Sequence, residues 1–302
     1  MKKQWFNDEN LIRLCRLLVC LTFLGRAWQH LRWDAPVRAI LWNQALLKPI
    51  ITDMLGIPWQ HWVGDLAVDA GIQTSIRVMG GIYLICAITA WLVTARRRWA
   101  QVILGLGSLL LFFLAFLYYF DQYKRLGQWA EYTLQWSVPL FLILAIRGRL
   151  RHPRTLFCLK LAVALTFIGH GMYAAGIYPM PGHFVTMLMN GLHLSENSAR
   201  ALLVGAGYMD FAVALMLFVP HAHRFAIAYT CFWGFATAAA RLVAYYDALQ
   251  WVAWLDGWLY QCLFRVVHGG IPLMLWWLTR EETPQATLAQ TPASGCPLPQ
   301  AS

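Results

Sequence analysis

The stretch Val102-Ile-Leu-Gly-Leu-Gly-Ser-Leu-Leu-Leu-Phe-Phe-Leu-Ala-Phe-Leu-Tyr-Tyr-Phe120 contains no charged residue. Wound as a helix it is about 28 Å long, close to the roughly 30 Å of a bilayer's hydrocarbon core. Reading outward from it, seven more runs are long and apolar enough to span: 11–30, 73–95, 130–147, 155–176, 200–219, 225–246 and 260–278. The fold class this predicts is all-α, a polytopic membrane protein with eight transmembrane helices. Composition agrees. Of the 302 residues, 59% are hydrophobic and 13% charged, against about 45–50% and about 25% in soluble domains. Such a chain cannot cover itself with polar surface. A soluble enzyme, a disordered protein and a nucleic-acid module are excluded.

The net charge is +10, and it is unevenly placed. Lys2, Lys3, Arg13 and Arg16, then Arg96–Arg98, then Arg147–Arg154 alternate with less basic connections. The positive-inside rule puts these clusters and both termini in the cytoplasm. The two long connections, 31–72 and 177–199, then face outward, and the expected location is a bacterial inner membrane. Within them, Ile40–Leu55 and Phe184–Leu194 are apolar but too short to span, so interfacial or re-entrant pieces are expected. Arg13 and Arg16 interrupt the first run and no small-residue cleavage site follows it, which argues against a signal peptide. Trp59, Trp62, Trp251, Trp254 and Trp258 suit an interfacial belt. The seven cysteines form no C-x-x-C pair, so a dithiol centre is not expected.

The chain repeats itself. Leu21-Thr-Phe-Leu-Gly25 returns as Leu165-Thr-Phe-Ile-Gly169, and Arg98-Trp-Ala as Arg224-Phe-Ala. Tyr119-Phe-Asp returns as Tyr245-Tyr-Asp, and Val138-Pro-Leu-Phe-Leu as Ile271-Pro-Leu-Met-Leu. This predicts a first four-helix repeat over 1–150 with a long outer loop, a second over 151–281, and a disordered cytoplasmic tail over 282–302. Four helices is an even number, so the two repeats run parallel across the membrane, related by a pseudo-two-fold along its normal. Gly80-Gly81 and Gly205–Gly207 are the expected places of close backbone approach. Pro139 and Pro272 lie in the last helix of each repeat; no paired interruption of a spanning helix is otherwise expected.

Charges inside a bilayer cost at least about 2.5–3.5 kcal/mol each, so they mark function or pairing. His170, Arg241 and His268 lie roughly 8–12 Å below the outer surface by helical rise, and Asp210 roughly 16 Å. All four belong to the second repeat. Their counterparts in the first are Arg26, Ala115, Gln135 and Ile85 respectively. A polar pocket in the second repeat is predicted, opening outward, with Tyr173 and Tyr246 (and Tyr208 and Asp247) at its mouth. Arg26, His30, Arg77 and Asp121 are expected to snorkel or pair at the outer interface.

Gly169-His-Gly-Met-Tyr173, the apolar piece around Phe184–Leu194, Gly205-Ala-Gly-Tyr-Met-Asp210 and Arg224-Phe-Ala together resemble the DoxX family of four-helix membrane proteins. The likeness covers about 155–279; the first half reads as a diverged copy with Gly25-Arg-Ala in place of Gly-His-Gly. Asp210 stands where the family usually has glutamate. Ala174 stands where a Lys or Arg often follows the His-Gly. The resemblance implies a membrane redox accessory, such as the small subunit of a thiosulfate:quinone oxidoreductase. A quinone would then be the cofactor, and a periplasmic or membrane redox protein the partner besides lipid.

Three functions compete on these residues. In the first, Asp210, Arg241 and His170 hold a quinone head group, whose carbonyls accept hydrogen bonds and whose reduction needs proton donors. In the second, His170 and His268 ligate a b-type haem, a weaker reading because one His pair is little to go on. In the third, the pocket serves a non-enzymatic carrier for a lipid or other hydrophobic molecule, or a partner-binding protein.

Overall fold

The computed structural model describes residues 8–280; the Lys2/Lys3 cluster and the tail predicted over 282–302 lie outside them. Among the described residues there are helices and turns and no strand. In chain order these are α1 (Asp8–Arg32), α2 (Arg38–Leu41), α3 (Gln44–Lys48), a π-helical turn (Pro49–Met54), α4 (Trp59–Gly64), α5 (Leu66–Leu92), α6 (Arg98–Asp121) and α7 (Leu126–Glu131). They continue as α8 (Thr133–Ile146), α9 (Pro153–Ala174), α10 (Gly182–Leu192), α11 (Glu196–Met216), α12 (His223–Ala244), α13 (Trp251–Arg265) and α14 (Val267–Arg280).

Seven stretches are long and apolar enough to cross a membrane: 66–92, 98–121, 126–146, 153–174, 196–216, 223–244 and 251–280. The pattern is that of an integral membrane protein. α1 is 25 residues long but carries Arg13, Arg16 and Arg26. It lies along α5 and α13 and touches α8 and α14. That cover is why α1 can hold Arg26, while Arg13 is exposed near the helix start. The short pieces α2 to α4 and α10 are helical without spanning, as the length of their apolar runs requires.

Two of the seven stretches each carry a one-residue lapse in the helix, the first near its start and the second at its middle. Helical geometry lapses at Tyr132, between α7 and α8, and at Val266, between α13 and α14. Pro139 and Pro272 follow within the next two turns. Proline lacks an N–H and its ring crowds the carbonyl four residues back, which here belongs to Gln135 and His268. Both lapses fall in the two helices that carry Pro139 and Pro272. The breaks leave Glu131 and Arg265 as the last residues of α7 and α13.

Packing repeats with the same partners. α5 lies against α1 as α11 lies against α9, and α6 meets α8 as α12 meets α14. A Cβ placed on Gly25 of α1 would stand 2.6 Å from the carbonyl oxygen of Tyr260 and 2.8 Å from the nitrogen of Phe264. A Cβ on Gly169 of α9 would stand 2.6 Å from the carbonyl oxygen of Gly127 and 2.5 Å from the nitrogen of Glu131. Of the glycines expected to admit close approach, Gly207 does so, its added Cβ falling 2.4 Å from the nitrogen of Ala175, and Gly80 meets the Leu31 side chain at 2.8 Å. Gly81 and Gly205 have open space.

These distances give a first prediction. At Gly169 the obstructing atoms are backbone and cannot swing away. Gly169→Ala is expected to destabilise by the 1–3 kcal/mol or more of an overpacked core, at the α7–α9 contact. Gly105→Ala, on a face of α6 with nothing within 4 Å, is expected to be neutral or slightly stabilising. Thermal melts of both variants in detergent check the pair; equal melting temperatures would refute the packing argument.

Candidate functional site

A cavity of about 460 Å³ lies among α9, α10, α11 and α12. Its construction starts with glycines. Gly171 and Gly207 bring α9 and α11 together: a Cβ on Gly171 would stand 2.9 Å from the Gly207 carbonyl oxygen. That contact places Asp210, one turn further along α11, against the cavity. Gly234 does the same for α12 and α14, where an added Cβ would stand 2.4 Å from the His268 carbonyl oxygen. The walls are apolar: Phe184, Met187 and Leu188 from α10, Leu203 and Ala206 from α11, and Phe232, Trp233 and Ala236 from α12. Phe232, Leu192 and Val243 are also 70%, 58% and 63% exposed, so the rim is greasy.

One end of the cavity is polar. Glu131, His170, Arg241, Arg265 and His268 meet there. His170 Nε2 lies 3.4 Å from His268 Nδ1, the two rings edge to face. His170 Nδ1 lies 3.8 Å from Glu131 Oε1, and Arg265 Nη2 lies 3.6 Å from the same oxygen. One carboxylate thus answers both a histidine and an arginine. Arg265 Nη1 and His268 Nε2 are buried without a hydrogen-bond partner among the described residues. Arg241 is 6% exposed, faces the cavity, and has neither a hydrogen bond nor an ion pair among the described residues.

Asp210 lines the cavity away from this cluster. It is 1% exposed, and its Oδ1 accepts a hydrogen bond from the Tyr229 hydroxyl at 3.4 Å. Tyr229 and Arg241 are both on α12, separated by about 18 Å of helix at 1.5 Å per residue. The four residues singled out by sequence, His170, Asp210, Arg241 and His268, therefore border one cavity, but they do not form one grip. The expected joint hold of Asp210, Arg241 and His170 on a single head group is replaced by two polar stations with an apolar stretch between them.

Comparisons with protein-family models, with curated proteins and with solved structures give no match to the chain. The likeness to the DoxX family therefore rests on the residues quoted above.

Several expectations are corrected. Tyr173 is buried at 3% exposure and packs on Tyr178 outside the cavity lining. Tyr246 is 65% exposed and sits edge-on to Trp254; neither tyrosine forms the mouth. Asp247 binds the backbone N–H groups of Leu249 and Gln250. Arg26 and His30 do not snorkel, since both are fully buried. His170 and His268, the pair read as possible haem ligands, lie edge to face in direct contact. Among the described residues no three of His, Cys, Asp and Glu converge as a metal site. The pocket is also not confined to the second half, because Glu131 comes from the first.

Glu131 and Arg265 were missed. Both lie inside stretches drawn as spans, 130–147 and 260–278, so the rule that singled out Asp210 applied to them equally. Both stand toward the start of those spans, where a charge at the membrane interface is ordinary.

Proposed function

We propose that the protein takes one amphipathic molecule from the bilayer and holds it in this cavity, as a binding subunit of the membrane. The buried, unpartnered guanidinium of Arg241, aimed into an apolar-walled cavity with an apolar rim, carries the reading. A guanidinium left without an acceptor in such a place is costly, and the head group of a ligand supplies the acceptor. The apolar walls take the tail, and the rim between α10, α11 and α12 admits it sideways from lipid. The host of this cavity is read as eight spans, α1 being the eighth, in two parallel repeats. The twin close approaches at Gly25 and Gly169 support that organisation.

A quinone-linked redox role, as a DoxX-like subunit in a bacterial inner membrane, is the second reading. The chain Glu131–His170–His268 favours it, because quinone reduction takes up protons and these groups carry them. It makes no use of Asp210, which is paired with Tyr229 instead.

The test is native mass spectrometry of protein extracted gently from its own membranes. We expect one tightly retained small amphiphile per chain, lost in Ala236→Trp, which fills the cavity from α12. Identical retained species in both proteins would remove the proposal, and a retained quinone would select the second reading.

A further inference from the structure

We propose that the head group selected by this cavity is an anion, a carboxylate or phosphate borne on an apolar chain. The inference rests on the reading of the cavity as an amphiphile site and specifies its chemistry. It starts from charge. The polar end carries two guanidiniums, Arg241 and Arg265, and one carboxylate, Glu131. Arginine keeps its proton in proteins, so the cluster holds an excess positive charge whenever the histidines are neutral, and more when they are not. Asp210 does not balance it, being hydrogen-bonded to Tyr229, which lies about 18 Å along α12 from Arg241.

Geometry points the same way. Glu131 is stretched between His170 at 3.8 Å and Arg265 at 3.6 Å, both longer than a charge-assisted hydrogen bond of about 2.7–2.9 Å. Arg265 Nη1 has no partner, and Arg241 has none at all among the described residues. Two guanidinium forks with free N–H groups at one end of a cavity form a receptor for a two- or three-oxygen anion, which each fork can grip through parallel hydrogen bonds. A neutral carbonyl would satisfy one N–H and leave the charge uncompensated. On α12 the lining runs from Phe232 to Val243, about 16 Å of helix. That length suits an extended chain lying along the wall below its head.

The arginine's isolation also separates this role from a structural one. An arginine that holds helices together loses its partners on mutation and the fold loosens. Arg241 makes no hydrogen bond or ion pair among the described residues, and the Arg265 guanidinium at the same cavity end repels it, so Arg241→Gln is expected to melt within a few degrees of the parent while losing the ligand.

The experiment measures binding to purified, delipidated protein in detergent by calorimetric titration. The probes are oleate, oleyl alcohol, 1-oleoyl lysophosphatidate and decylubiquinone. Acetate and inorganic phosphate enter as free-anion competitors. The expected result is that oleate and lysophosphatidate bind at least about tenfold more tightly than oleyl alcohol, a difference of about 1.4 kcal/mol. In Arg241→Gln that preference is expected to collapse, and in Arg241→Lys, which keeps the charge without the fork, to survive in part. Millimolar acetate and phosphate should fail to displace oleate, since they bring no tail. Alcohol or quinone binding as tightly as oleate would overturn the anion while leaving the amphiphile site intact. Displacement by free phosphate would overturn the lipid-borne head. Weak binding of every amphiphile, unchanged by Ala236→Trp, would take down the cavity reading itself.

Discussion

Glu131→Gln is expected to destabilise the protein by about 3–5 kcal/mol, the range for removing one partner from a buried charge cluster. Glu131 is 5% exposed. Its carboxylate is the acid nearest Arg265 and His170, at 3.6 and 3.8 Å. Without it, two buried guanidiniums face each other across an apolar cavity with no anion of the protein's own. The glutamine keeps the shape and removes only the charge, so the loss reports electrostatics rather than a hole. A second substitution tests this. Arg265→Gln alone should also destabilise, because it leaves Glu131 with one distant arginine. The double variant should be more stable than the sum of the singles implies, since removing one charge of each sign returns the cluster to the parent's net charge. Reversible thermal or denaturant unfolding in detergent gives the cycle. Additive losses would mean that Glu131 and Arg265 are not coupled, and the polar end would have to be redrawn. Anionic amphiphile should also change rank: Glu131→Gln is expected to bind oleate more tightly than the parent, because a competing carboxylate has gone.

The spanning helices were legible because lipid imposes a simple rule. The run 102–120 has no charge, and α6 is found there with the highest mean hydropathy of the seven candidate spans, 2.3. The rule reports length and polarity, and it is blind to neighbours. Arg26 and His30 illustrate this. Their distance from the end of α1 suggested an interface, but α1 is walled in by α5, α8, α13 and α14, so the same positions are interior. Asp210, Arg241, His170 and His268 stood out as charges or imidazoles in apolar runs, and all four border the cavity. What the sequence could not say was that Asp210 faces Tyr229 while Arg241 faces the cavity end that holds Glu131 and Arg265. That depends on which side each helix turns to its neighbour, and on the breaks at Tyr132 and Val266 that carry Glu131 and Arg265 inward. The breaks have a sequence correlate, a proline four residues after Gln135 and another four after His268. The proline shows that a ladder bond is lost without showing where the helix reopens.

The correspondence between Arg26/Gln135 and His170/His268 explains why the site around Arg26 is filled and leads to the other large effect. Both pairs meet in space: Arg26 Nε and Nη2 donate to Gln135 Oε1 at 3.0 and 2.5 Å, where His170 and His268 touch at 3.4 Å. The longer side chain fills its own site. Arg26 Nη1 reaches Gln29 at 2.6 Å, and the guanidinium carbon lies 3.8 Å above the Phe264 ring and 4.9 Å from the Tyr132 ring. Every N–H-bearing edge has an amide or an aromatic face, and the residue is 0% exposed. Arg26→Ala therefore removes three hydrogen bonds, leaves the carbonyls of Gln29 and Gln135 unsatisfied, and opens a hole beneath Phe264. Loss of buried volume alone costs about 2–5 kcal/mol, and each abandoned buried acceptor adds about 1–3 kcal/mol. The expected outcome is a fall in melting temperature of 10 °C or more, at roughly 2–4 °C per kcal/mol for chains of this general size. Arg26→Met refills the space without restoring the hydrogen bonds and should recover a substantial part of that loss. It should also retain the amphiphile, because Arg26 closes its own site and does not line the cavity. A variant Arg26→Ala that melts with the parent would show that the guanidinium is dispensable and that Arg26 does not fill its site in the way described. Loss of amphiphile from a stably folded Arg26→Met would instead tie the two sites together across α1 and α14.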